Sequence, residues 1–274
     1  MEQFKINDIL ILAFCFLGIT LFLYWLISTG FGKRALDGAV VRPNCLPFYA
    51  VFTVLFGWLG ITIFTTKFIT GVTSQMPEWR QNLILYSALV AIEIIIIGFV
   101  LGSAKRFFDD GLRGLGFRKT GIIGDFGSAA ATFTAVWPLV MGALYVVVII
   151  GKLIAGPDFQ MEKNEGLTVI LQYDQWSLRI LMIFFATILT PIFEEIIFRG
   201  LLQSYLREIG LSCWQTIFIA SVIFSLLHPM MHFPALIILA VAMGYAYEKS
   251  GSLLRPIFIH LLFNGSTIAF ALLN

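Results

Sequence analysis

An all-α polytopic membrane protein, a bundle of about eight transmembrane helices, is the fold this sequence predicts, on three observations. Hydrophobic residues make up 59% of the 274 positions and charged residues only 12%, where a soluble domain carries about 25% charged. Mean hydropathy is +0.91. The apolar residues also gather in stretches close to the roughly 20 residues that a helix needs to cross a bilayer core.

Those stretches lie at about 9–29, 46–66, 83–102, 130–151, 176–193, 212–227, 233–247 and 253–273. The first is flanked by Glu2, Lys5 and Asp8 rather than by a basic segment, and no small-residue cleavage site follows. It therefore reads as a retained span and not a signal peptide. The second is followed by Lys67; the third lies between Arg80 and Lys105. A connection over 103–128, containing DDGLRGLGFRKTG, leads to the fourth. It suits either an amphipathic segment on the membrane surface or a solvated loop. A second polar connection, 152–175, precedes the fifth stretch, which runs straight into the charged sequence LTPIFEEIIFRGLLQ. The sixth lies between a turn at Gly210 and Pro229, a residue that discourages helix continuation. The seventh ends near Gly251, and the eighth closes the chain. No repeat or low-complexity linker divides the sequence, so residues 1–274 form one integral membrane domain, with N-terminal helices and a basic connector over 1–128 and the remaining helices over 129–274.

Lys and Arg in short loops are kept on the cytoplasmic side. Lys33, Arg34 and Arg42 follow the first stretch, and Lys105, Arg106, Arg113, Arg118 and Lys119 follow the third. The opposite loops hold Lys67 and Arg80, and then Lys152 and Lys163 among Asp158, Glu162, Glu165 and Asp174. Both termini are thus expected outside. A net charge of +2 is too small to suggest nucleic acid as a partner; lipid is the partner that composition implies. Cys15, Cys45 and Cys213 are odd in number and widely spaced, which supports neither a disulfide framework nor a metal site.

Glu194, Glu195 and Arg199 are the most informative residues, because a charge at membrane depth costs on the order of 3 kcal/mol and is a functional candidate by default. Two histidine motifs follow, Phe224 to His228 (FSLLH) and His260 to Asn264 (HLLFN). On one helix Glu195 and Arg199 are four residues apart with the acid first, the favourable order for an ion pair. Glu194 points about 100° away and remains free for a neighbouring helix. Counting back from the turn at Gly210, Glu194 lies ~24 Å along one arm of a hairpin and His228 ~27 Å along the other. His260 and Asn264 share a face one turn apart. A carboxylate and a histidine sharing a water make a general base, and a second histidine with an asparagine supplies donors for an oxyanion. This is a hydrolase layout without a Ser or Cys nucleophile, expected to need no cofactor. Zinc held by His228, His260 and a glutamate is the competing chemistry, although the HExxH spacing is absent.

EEIIFRG, FSLLH and HLLFN, in this order and spacing, resemble the CAAX protease and bacteriocin-processing family, which includes the Rce1-type prenyl-protein endopeptidases and the bacterial Abi proteins. GLGFRKTG before the fourth helix is similar to a connector found in many bacterial members. The specific resemblance covers about residues 190–265 and assigns 129–274 to helices like the family's protease core. It implies an eight-helix fold with a metal-independent, glutamate-based site. Glu194 and His228 would activate water, and His260 with Asn264 would polarise the scissile carbonyl. Glu195, Arg199 and Phe224 would support the site. The implied substrates are prenylated protein C-termini or small peptides.

Each residue also has a structural reading: Glu195 with Arg199 as an ion pair, Phe224 as packing, and His260 and Asn264 as interhelical hydrogen-bonders. His232, in the loop HPMMHFP, stays outside the site. A non-catalytic membrane regulator or bacteriocin-immunity protein on the same fold is the main rival function. A secondary transporter should show paired halves with broken helices, and none are visible.

Overall fold

A backbone surrounded by lipid has no water to bond, so each long apolar run closes its hydrogen bonds within itself as a helix. The computed structural model describes residues 6–40, 42–117, 121–162 and 164–273; among them the regular elements are all helices, joined by turns and irregular connections, with one isolated bridge between Asn44 and Phe108. In order, the helices are α1 Ile6–Ser28, α2 Phe48–Val72, α3 Glu78–Phe107, α4 Ile122–Ala155, α5 Glu165–Gln172, α6 Trp176–Glu208, α7 Cys213–Leu226, α8 Phe233–Ser250 and α9 Leu254–Leu273. Among the described residues, seven are long and apolar enough to cross a membrane. Glu2, Lys5, Arg118, Lys119 and Lys163, which entered the charge reading, lie outside the described residues, as does Thr120 of the connector.

Each of the eight expected stretches is helical, but 212–227 is shorter than a span. Its helix, α7, has 14 residues, clipped by the left-handed Gly210 on one side and Pro229 on the other. The stretch expected over 176–193 instead continues through the charged motif to Glu208. The connection expected over 103–128 shrinks to the residues between Phe107 and Ile122. Its turns bury Phe108 and Leu115, so it is not a wholly solvated loop. The connection 152–175 contains a helix the apolar count passed over. The Asn164 side chain caps α5 by accepting from the Gly166 N–H at 2.8 Å.

The chain divides into two compact units, each interleaved in sequence. The first comprises residues 1–41, 119–162 and 213–259, and so holds α1, α4, α7, α8 and the start of α9. Within it α1 lies against α4 where Gly18 meets Pro138: a Cβ on Gly18 would run into the Thr134 carbonyl and the Pro138 ring. Proline has no N–H to give the carbonyl four residues earlier, and that carbonyl is Thr134's. At the start of α4, Asp125 accepts from Ser252 Oγ at 2.6 Å and pairs with Arg255 Nε at 2.7 Å. It thereby ties the α8–α9 turn to α4, with the acid at the helix end where it is favoured.

The second unit comprises 42–118, 163–212 and 260–274, and so holds α2, α3, α5, α6 and the rest of α9. Ile170, Leu178, Met182 and Ile268 form a buried cluster that packs on Trp79, Leu83 and Tyr86. The Trp58 and Phe193 rings meet at 5.1 Å. Outside the spans, Tyr173 donates to Glu78 Oε2 at 2.8 Å; that hydrogen bond pushes the phenol above its ordinary value.

Candidate active site

Helix α6 is regular at its ends and in the middle but widens twice to the π-helical i→i+5 pattern, over Phe185–Leu189 and Ile196–Gln203. Between the two widened stretches sits the α-helical segment Thr190–Glu195 that ends on the paired glutamates. Proline chemistry accounts for the first stretch. The Thr190 N–H reaches back five residues to the Phe185 carbonyl, and in the same register the Ala186 carbonyl would face Pro191, which has no N–H. A carbonyl left without a backbone partner at this depth needs another donor. Asn264 supplies it, with Nδ2 2.9 Å from Ala186 O. One N–H of the Asn264 amide is therefore committed to holding α9 on α6.

The ion pair predicted between Glu195 and Arg199 is present, with Nη1 2.9 Å from Oε1 and both side chains fully buried. The same Oε1 lies 2.9 Å from His260 Nδ1. A carboxylate only accepts hydrogen bonds, so this contact assigns the proton to Nδ1. The imidazole is thereby fixed with Nε2 turned to Glu194, whose Oε2 is 3.7 Å away. That distance is beyond a direct hydrogen bond but close enough for both groups to serve one small molecule. The residues at 194, 195, 199 and 260, taken from two helices, thus form one buried cluster in the second unit.

Phe224 and His228 belong to the first unit. Phe224 is fully buried, and its ring centroid lies 4.8 Å from that of the half-buried His228. His228 Nδ1 is 2.9 Å from the Phe224 carbonyl. A carbonyl can only accept, so the proton sits on Nδ1, and Nε2 keeps its lone pair in the neutral ring. In this tautomer it is Nε2 that can accept a proton or bind a metal. His232, left outside the site from sequence, has Nε2 3.0 Å from the Glu162 carbonyl and is exposed there.

Glu93 is the residue that motif reading passed over. It lies in the middle of α3, in AIEIIII, and is only 4% exposed. Its carboxylate oxygens are 3.2 and 3.4 Å from Thr190 Oγ1, one helical turn before Glu194, and it lies within electrostatic reach of the Glu194 carboxylate. The signal was available in the sequence, since a lone acid inside a span is a functional candidate by the argument that singled out Glu194. As for metals, among the described residues no group of three His, Cys, Asp or Glu side chains is arranged as a ligand set.

No curated protein and no solved structure matches the chain. Residues 175–266 match the family described as type II CAAX prenyl endopeptidase Rce1-like. The matched segment begins at the start of α6 and ends two residues after Asn264, and it contains all three motifs. The resemblance read from those motifs thus recurs in the match: residues 175–266 of this multi-pass membrane protein are similar to the Rce1-like family.

Proposed function

We propose that the protein is an intramembrane endopeptidase of the CAAX-protease kind, with Glu194 and His228 activating the attacking water. The observation that carries this reading is the buried cluster of Glu194, Glu195 and Arg199 on α6 with His260 on α9, all inside the matched segment. The water oxygen bonds to the scissile carbonyl carbon as its proton passes to Glu194. Collapse of the tetrahedral intermediate breaks the C–N bond, and the proton leaves with the amine, so no covalent bond to the enzyme forms. Its developing oxyanion is met by His260 and by the second N–H of the Asn264 amide. With Nδ1–H given to Glu195, His260 donates from Nε2 only as imidazolium. Glu195 and Arg199 hold His260 in place and take no part in the proton transfers.

The substrates in this reading are prenylated protein C-termini or short peptides, cleaved without a metal. The location is the bacterial inner membrane with both termini outside, supported by the Lys and Arg distribution. The test is to incubate purified protein in detergent with a farnesylated CaaX peptide and with an unprenylated peptide library, and to read products by mass spectrometry. Cleavage of the farnesylated peptide is expected. No cleavage of any peptide would replace this reading with a regulatory or immunity role.

A further inference from the structure

Three helices meet at one turn of α6, just before the paired glutamates, and the contacts there are coupled. In an ordinary helix a threonine hydroxyl returns to the carbonyl four residues back, which for Thr190 is Ala186. Here that carbonyl accepts from Asn264 on α9, while the Thr190 hydroxyl faces the Glu93 carboxylate on α3. Thr190 and Glu194 are four residues apart and lie on one face of the segment. Glu93 is buried, and among the described residues no Lys, Arg or His pairs with it; Thr190 is its hydrogen-bond partner. A buried carboxylate without a cation is costly to keep, and packing alone would favour an apolar residue in that place.

We propose that Glu93 is a positioning residue for Glu194: through Thr190 it fixes the rotation of the α6 turn that aims the catalytic carboxylate. The proposal rests on the endopeptidase reading for its consequence in catalysis, but not for its structural content. Asn264 grips the turn from one side and Glu93 from the other, so that the segment between the two π stretches has one orientation. Glu93 acts through Thr190 and needs no contact with substrate.

The experiment compares Glu93→Ala, Glu93→Gln, Thr190→Val and Thr190→Ser in full-length protein, by kinetics on the farnesylated peptide and by amide hydrogen exchange over residues 186–196. A misaimed base loses rate rather than binding. Glu93→Ala and Thr190→Val should therefore lower kcat by roughly 30- to 100-fold and leave KM within about twofold. Glu93→Gln and Thr190→Ser, which keep an acceptor and a donor, should stay within about threefold of wild type. The double variant Glu93→Ala/Thr190→Val should lose no more than the worse single variant, as residues acting through one bond do. Faster exchange over 186–196 in the Ala and Val variants, and not in the Gln and Ser variants, supports the link in any case. The proposal is overturned if Glu93→Ala exchanges and turns over as wild type, or if Glu93→Gln falls as far as Glu93→Ala. If wild type cleaves nothing, the endopeptidase reading fails, and the exchange data alone decide the link.

Discussion

Glu194 and Glu195 are adjacent and both buried, yet their surroundings give them different tasks. Glu195 Oε1 takes hydrogen bonds from Arg199 and His260; Glu194 has His260 only at 3.7 Å. Glu194→Gln, which keeps the shape and removes the proton acceptor, is expected to abolish cleavage, a loss of about 100-fold or more, with the melting temperature in detergent unchanged. Near-normal turnover would remove Glu194 from the role of base. Glu195→Gln should lower both rate and melting temperature, because Arg199 stays buried with a neutral partner, and breaking a buried pair costs about 3–5 kcal/mol when one member is removed. An unchanged melting temperature would refute the structural assignment of that pair. Sequence spacing foretold the Glu195–Arg199 pair, since four residues on a helix fix the geometry. It could not foretell that His260 joins Glu195, because that contact depends on how α9 packs against α6.

At the scale of a helix, the sequence tells where α6 lies but not how it is wound. The π register arises from Pro191 together with a partner on another helix, and no periodicity count registers a carbonyl that changes its donor. The pairing of Asn264 with Ala186 predicts a specific coupling. Asn264→Ala should destabilise the protein by about 1 kcal/mol, the usual scale for a hydrogen bond between helices in a membrane. In a Pro191→Ala background, where a backbone N–H is restored, the same change should cost measurably less. Equal costs in both backgrounds, read by denaturation in mixed micelles, would show that Asn264 is not compensating for the proline. Gly18 offers a second case. Gly18→Ala should lower the melting temperature because its Cβ meets the Thr134 carbonyl, while Gly57→Ala, which meets nothing within 4 Å, should be neutral. The same residue type in two apolar helices reads alike in sequence, and only packing tells them apart.

For the whole molecule, composition sufficed to establish a multi-pass helical protein, and three short motifs pointed to the family whose model matches residues 175–266. Glu93 was overlooked because it belongs to no motif and lies about a hundred residues before its partner. The metal question has a direct test at this scale: activity should survive prolonged EDTA or phenanthroline, with no stoichiometric transition metal in the active protein. Loss that zinc alone restores would reverse the mechanism. One feature of the first unit carries over to the lipid around it. With 14 residues, α7 measures ~21 Å against a hydrocarbon core of about 30 Å. One way a bilayer accommodates so short an element is by thinning beside it, which would draw the polar headgroups toward the end of α7, where His228 is found. Local thinning shortens the path that water must take to that ring and the depth to which a peptide must descend. Reconstituted protein should accordingly cleave faster in short-chain than in long-chain phosphatidylcholine, and a rate indifferent to chain length would show that lipid thickness has no part in supplying the site.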